Sequence, residues 1–389
     1  MKRIAVVGGS LAGLSAARAL RKQGYDGDLV LVSDETRPPY DRPPLSKSFL
    51  AGEATEAEIG LLHEGEDLDA DWRTGVAATG LHPASRGVAL SDGAELAVDA
   101  VVIATGARPR LPWPRLPAGV QTLRTLDDAV ALRARLLPGA RLVVVGAGFI
   151  GAEVASTARG LGLDVTVIEA LPTPLSAALG AELGAVVAGL HAARGARLLC
   201  GVGVSRLVGQ QQVEAVELAD GRVVPADVVL LGVGVQPNVE WLAGSGLTIA
   251  DGVRCDAYGA TGIPNVVAVG DCASWYEPEL GAHHRLEHWT GARERAAIAV
   301  SSLLSGGQQK VQGRPPYFWS DQYGITLQLA GRTSGADSVT VEEGSAADYD
   351  FLAVYRRGDR PVAVLALGHG RSFMRWRKQL AAAPAAPIS

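Results

Sequence analysis

The feature that most constrains this chain is a duplication. Arg3 to Gly13 (RIAVVGGSLAG) and Arg141 to Gly151 (RLVVVGAGFIG) are both apolar runs that end in a glycine-rich turn. Each leads into a segment at helical spacing, Leu14 to Lys22 and Ala152 to Arg159. Both then return to a β-type run that ends in acid: Leu29 to Ser33 before Asp34 and Glu35, and Val165 to Ile168 before Glu169. Strand, glycine turn, helix, strand and carboxylate make up the βαβ unit of a dinucleotide-binding fold. One copy could arise by chance in a chain with 48 glycines, but two in matching contexts predict two nucleotide sites.

The residue types in each turn follow from what a pyrophosphate needs. In the second copy Gly146 serves the tight turn, Gly148 lets the backbone approach the phosphates, and Gly151 lets the helix pack close to the strand. The phosphates then sit at a helix N-terminus, where unpaired N–H groups and the dipole favour negative charge. In the first copy Gly8 and Gly13 hold the outer positions, and Ser10, whose hydroxyl can donate to a phosphate, replaces the middle glycine. Glu169 would accept hydrogen bonds from a ribose 2′-OH and repel a 2′-phosphate. No Arg or Lys follows it in ALPTP (170–174), so the second site is expected to prefer NADH to NADPH.

Composition sets the outer limits. A length of 389 residues suits two or three domains, and 48% apolar with 20% charged residues gives ample core and no case for disorder. A net charge of −5 argues against a general nucleic-acid binder. No apolar run reaches the roughly 18 residues of a membrane span; Glu153, for example, interrupts Leu142 to Ala155. The start, Met1-Lys2-Arg3 and then apolar residues, faintly resembles a signal peptide but runs straight into the glycine turn, so a folded strand and a soluble, cytoplasmic protein are expected. The three cysteines, Cys200, Cys255 and Cys272, show neither a CxxC pair nor zinc spacing, and read as buried thiols with no metal site.

Further motifs occur in order along the chain: YDRPPLSK (40–47), ATG (104–106), LRT (123–125), GVGVQPN (232–238), VGD (269–271), RLEHW (285–289) and PYFWSDQ (316–322). With the two turns, this set resembles the FAD-dependent, NADH-using ferredoxin reductases that feed cytochromes P450 and ring-hydroxylating dioxygenases. Rubredoxin reductases and apoptosis-inducing factor are more distant relatives. The resemblance implies an α/β chain with two Rossmann-like dinucleotide-binding domains, as in glutathione reductase, plus a C-terminal α+β domain. The FAD-binding domain would comprise 1–108 and 248–312, the NAD-binding domain 109–247 and the C-terminal domain 313–389, with an antiparallel sheet packed at the flavin. The Pro-rich stretch from Arg108 to Pro117 suits the first crossover, and Ala381 to Ser389 reads as a loose end.

Carried over by position, FAD would be held by Gly8, Ser10, Leu11, Ala12, Gly13, Arg42, Lys47, Ala78, Ala104, Thr105, Gly106 and Arg124. Asp34, with Glu35 as the less favoured neighbour, would take the adenosine ribose. Gly270 and Asp271 would take the ribityl chain, and Glu287, His288 and Trp289 would lie towards the flavin edge. NAD would lie on Gly146, Gly148, Phe149, Ile150, Gly151, Glu153, Glu169, Gly232 and Gly234. Lys47 and Glu153 are the catalytic candidates. The resemblance points the lysine at the flavin near N5 and brings the glutamate, expected in the first turn of its helix, to both the nicotinamide and Lys47. Phe149 stands where some relatives have tyrosine, so any role for a hydroxyl there is lost.

The implied chemistry is hydride transfer from NADH to flavin N5. No cysteine lies near 40–50, where related disulfide reductases and NADH peroxidases carry theirs, so electrons must leave by another route. A flavin can release them singly to an iron–sulfur centre, and three scattered cysteines cannot hold one, which places the cluster on a separate ferredoxin. Residues 351–389 carry Arg356, Arg357, Arg360, Arg371, Arg375, Arg377 and Lys378 against Asp359 alone, a local charge of +6 suited to a transient complex with an acidic ferredoxin. Arg371, Arg375 and Lys378 could share one helical face. The alternatives are an NADH oxidase, a quinone or rubredoxin reductase, or a signalling flavoprotein of the apoptosis-inducing type. Neither nucleic acid nor membrane is expected as a partner, and monomer and homodimer both fit.

Overall fold

The computed structural model describes residues 1–306 and 315–382. The expected boundary at 312/313 and residues 383–389 of the expected loose tail lie outside the described residues.

The two repeats build two parallel sheets. In the first, the order is Val266–Ala268, Ala100–Ile103, Arg3–Val7, Asp28–Ser33 and Ala70–Thr74. In the second it is Arg197–Cys200, Asp164–Glu169, Arg141–Val145, Val228–Leu231 and Val120–Gln121. The central strands IAVV and LVVV are buried along their whole length, as continuous apolar runs covered on both faces should be. Register is matched as well: Val7 pairs with Val32 and Val145 with Ile168, so the acids emerge just past the last apolar partner of their strands, Asp34 two residues after Val32 and Glu169 one after Ile168, beside the glycine turn. A three-stranded antiparallel meander accompanies each sheet, Ala78–Ala97 in the first case and Val204–Pro225 in the second.

Glycine is required where backbones touch. Gly8 and Gly146 have φ of +121° and +102°, and a Cβ on them would lie 2.1 Å from the Ala104 carbonyl oxygen and 2.3 Å from that of Gly232. A Cβ on Gly13 or Gly151 would lie 1.7 or 2.2 Å from the carbonyl oxygen of Gly8 or Gly146. The two halves are therefore closed by the same contact, helix against turn.

Two antiparallel strands, Ala107–Pro109 and Val235–Pro237, carry the chain between the sheets. Thr105 Oγ1 donates to the Asn238 carbonyl at 2.6 Å and Asn238 Nδ2 to the Thr105 carbonyl at 2.9 Å, so the ATG and GVGVQPN motifs meet at this crossing.

The C-terminal part is a five-stranded antiparallel sheet with helix Gly370–Ala382 on one face. Leu352, Val354, Val364 and Ala366 pack there with Phe373, while Phe351, Ala353 and Tyr355 turn to the other face. That second face is covered by the long helix Ser176–Ala193, which supplies Leu179, Leu183, Val187 and Leu190. By length and composition alone Ser176–Ala193 is long and apolar enough to cross a membrane, but it is kinked at Gly180, whose φ of 75° and ψ of 166° are not helical, and its apolar stripe is the half of an interdomain core that the sheet completes.

Candidate active site

A cavity of about 650 Å³ opens at the carboxyl ends of the first sheet and runs towards the second glycine turn. Of the residues expected to hold FAD, all line it except Gly13, whose role is the packing contact already described. Phe149, Ile150 and Glu153 line its far end, so the cavity reaches the second nucleotide region. Gly146, Gly148, Gly151, Glu169, Gly232 and Gly234 lie outside the cavity, around the second turn.

At the first turn, Ser10 is the N-cap of helix Leu11–Lys22 but leaves the helix donors uncapped; its Oγ accepts from Arg42 Nε at 3.2 Å. Arg42 also binds Glu35 Oε1 at 2.7 Å, and the Tyr40 hydroxyl donates to the same carboxylate. Burial, followed by the Glu35 contact, pushes the Tyr40 phenol well above its ordinary value. With Glu35 engaged, exposed Asp34 has no side-chain partner among the described residues and is the carboxylate left to accept new hydrogen bonds.

Arg124 is aimed by local structure. Thr125 caps helix Leu126–Arg133 in a reciprocal capping box with Asp128, which holds the preceding residue at the cavity wall. Its guanidinium meets Asp271 at 2.7 Å, while its buried Nε has no partner. Trp241 Nε1 and His288 Nδ1 are likewise buried without partners on the same cavity. Three orphaned polar groups, the free N-terminus of a helix and an elongated volume fit a large polar ligand of the dinucleotide class. Burial lowers His288 to about 4, so at neutral pH it presents a neutral ring. Trp289 donates from Nε1 to Asp41 at 2.7 Å, and burial raises the Asp41 carboxyl.

At the second turn, Gly148 is the N-cap of helix Phe149–Gly160, and a Cβ there would meet nothing within 4 Å. Unlike Gly151, it guards open space above the helix N-terminus, where a phosphate group fits. Glu169 accepts from the Ala147 N–H at 2.9 Å and the Leu171 N–H at 2.8 Å; these bonds fix the carboxylate and leave lone pairs for a ligand's hydroxyls.

The two regions meet at an ion pair. Lys47 Nζ lies 2.7 Å from Glu153 Oε2 and also donates to the Pro43 carbonyl at 3.2 Å. Ser46 donates to the same carboxylate oxygen, and Ser320 donates to Oε1 at 2.7 Å. Glu153 is 5% exposed and sits in the helix's second turn, which corrects its expected place in the first. The helix starts at Phe149 because Gly148 caps it, so the carboxylate is held by side-chain donors rather than by helix-end N–H groups. Phe149 packs edge-on against Phe318, with ring centroids 4.5 Å apart.

Sequence reasoning did not single out Asp41, Ser46, Asn238, Trp241, Phe318 or Trp319 as site residues, although all line the cavity. All but Trp241 stood inside noted motifs; the five neutral side chains carry no charge or spacing signal of their own, and Asp41 stood next to the arginine that was singled out. Cys255 and Cys272 are buried as expected, and Cys200 is half-buried.

Fold and site together define a class: an oxidoreductase with two dinucleotide regions joined by one ion pair and no cysteine at the junction. Residues 2–296 match the family described as pyridine nucleotide-disulphide oxidoreductase, and 317–387 match the reductase C-terminal domain. The chain belongs to this family, as an FAD- and NAD(H)-dependent oxidoreductase. It is 41% identical over 348 residues to the biphenyl dioxygenase system ferredoxin–NAD(+) reductase component of Paraburkholderia xenovorans (strain LB400), covering 87% of this chain and 83% of that one. It is 36% identical over 374 residues to putidaredoxin reductase of Pseudomonas putida, covering 93% and 87%. Among solved structures, the covalent putidaredoxin reductase–putidaredoxin complex superposes with a TM-score of 0.92 at 34% identity, over 100% of this chain and 94% of that one. The ferredoxin reductase for the CYP199A2 system from Rhodopseudomonas palustris gives 0.93 at 32% identity, covering 100% and 96%.

Proposed function

We propose that this enzyme passes electrons from NADH, through FAD, to a small iron–sulfur ferredoxin, of the 2Fe–2S type, that serves a cytochrome P450 or a ring-hydroxylating dioxygenase. The observation that carries the reading is the Lys47–Glu153 pair, which stands where the cavity meets the second glycine turn. FAD, when bound, supplies an acceptor for two electrons that can leave one at a time. Asp34, Arg42, Arg124, Asp271, His288 and Trp289 would hold it, and Gly148 and Glu169 would hold the phosphates and ribose of NADH.

Hydride transfer moves negative charge away from the nicotinamide. A fixed anion on that side and a fixed cation on the acceptor side match the displacement, and neither needs to reorganise during the step. Glu153 and Lys47 take these roles in a setting from which most water is excluded. The division into 1–108 with 248–312, 109–247 and 313–389 is part of the same reading.

The ferredoxin is proposed to be acidic and its complex transient. Arg371 and Lys378 are exposed on helix Gly370–Ala382, although Arg375 is paired with Glu343 and Arg356 with Glu342, so the patch is weaker than its formal charge. The test is NADH-driven cytochrome c reduction with and without an added 2Fe–2S ferredoxin. A steep, saturable rise with ferredoxin is expected. A rate indifferent to ferredoxin, and sustained by oxygen or a quinone, would replace this reading with that of an oxidase or quinone reductase.

A further inference from the structure

Strand Tyr317–Gln322 sends alternate side chains to opposite faces, so Phe318, Ser320 and Gln322 share one side. That side meets the helix that carries Glu153. Phe318 packs on Phe149, Ser320 Oγ donates to Glu153 Oε1 at 2.7 Å, and Gln322 Nε2 donates to Ser320 Oγ at 3.1 Å. Ser320 is 0% and Gln322 2% exposed. An amide N–H can only donate, so Gln322 engages the lone pairs of the serine oxygen and leaves the serine proton for Glu153. The opposite carboxylate oxygen is taken by Ser46 and Lys47 from segment 43–47. The carboxylate is thus gripped from two parts of the chain 273 residues apart, and every donor points inward.

We propose that Ser320, backed by Gln322, is a positioning residue for the NADH half-reaction: it fixes the rotamer of Glu153 from the side opposite Lys47. The C-terminal domain then builds the nicotinamide side of the centre as well as offering a surface to the partner. The inference rests on the reading of Glu153 as the nicotinamide-side anion. A carboxylate anchored through one oxygen can swing towards Lys47 and away from the nicotinamide, and the second anchor prevents this.

The test is a cycle of Ser320→Ala, Glu153→Gln and the double variant in FAD-loaded protein. It reads kcat and KM for NADH, together with calorimetric affinities for NAD+ and for ADP-ribose, which lacks the nicotinamide. Loss of one hydrogen bond to a charged group should lower kcat and NAD+ affinity in Ser320→Ala by roughly tenfold to a hundredfold. KM and ADP-ribose affinity should hardly change, because the turn and Glu169 are intact. In the Glu153→Gln background Ser320→Ala should add nothing.

Equal losses in both backgrounds, equal losses for NAD+ and ADP-ribose, or wild-type behaviour of Ser320→Ala would each overturn the inference. If Glu153→Gln alone keeps wild-type kcat and NAD+ affinity, the reading of Glu153 itself fails, and the inference with it. Gln322→Met, close in size and without the amide, should show the same pattern more weakly, and it serves as the test if Ser320→Ala does not fold.

Discussion

Replacing Lys47 with methionine keeps the apolar stem of the side chain and removes its charged end. Glu153, whose side chain is 6% exposed, would keep Ser46 and Ser320 as donors but lose its counter-ion. Removing one partner of a buried pair costs about 3–5 kcal/mol, and the two remaining donors put this case at the lower end, about 3 kcal/mol. The reverse change, Glu153→Gln, is milder. The Lys47 side chain is 19% exposed, faces the cavity and keeps the Pro43 carbonyl, so about 1 kcal/mol is expected. With an unfolding entropy of about 2.1 cal/mol/K per residue over 389 residues, the two costs lower Tm by about 4 °C and about 1 °C in a cooperative transition. Differential scanning calorimetry of both single variants and the double variant reads the asymmetry, and the double variant should regain part of the Lys47→Met loss. If Lys47→Met melts with the wild type, or the two single variants melt together, the ion pair does not form and the account of the junction is wrong. Flavin reduction by NADH should slow in both.

Further outcomes follow from the same geometry. Gly148→Ala places its methyl in open space and should leave Tm unchanged while raising KM for NADH about tenfold; Gly151→Ala meets the Gly146 carbonyl at 2.2 Å and should destabilise the second sheet itself, which calorimetry distinguishes. Glu169→Ala should weaken NADH use and narrow the preference over NADPH, read as the ratio of the two kcat/KM values, and an unchanged ratio would remove Glu169 from the ribose site. Burial holds His191 down at about 4, whereas the unfolded chain takes up that proton near pH 6.5; its contribution to stability is therefore full above about 6.5 and is lost as pH falls towards 4, by about 2 kcal/mol at pH 5. His191→Phe should flatten Tm against pH over that window, and an unchanged slope would show that the ring is not buried neutral. Arg371→Glu with Lys378→Glu should slow ferredoxin reduction at low salt, leave flavin reduction by NADH unaltered and reduce the salt dependence.

Much of this molecule was legible from residue order because its motifs are backbone devices. A tight turn, a helix packed against that turn and a carboxylate at a strand end each depend on a few adjacent positions. Gly8 with Gly13, Gly146 with Gly151, and Asp34 and Glu169 could therefore be read directly, and the structure places them where the spacing implied. The pairing of Lys47 with Glu153 was reached through resemblance, since nothing local joins positions 106 apart.

What only the tertiary structure decided lies where separate segments converge. Glu153 was expected at the first turn, but the helix begins at Phe149, which puts Glu153 in the second turn, and its carboxylate is held by three donors from two distant segments. The apolar stripe of Ser176–Ala193 makes sense only against the sheet that includes Phe351 and Tyr355. Ser46, Ser320 and Gln322 gave no signal because a neutral hydroxyl or amide becomes informative only when its partner is known. Short-range backbone geometry is encoded by neighbouring residue types. The direction of a buried hydrogen bond depends on which distant donors and acceptors the completed fold brings together.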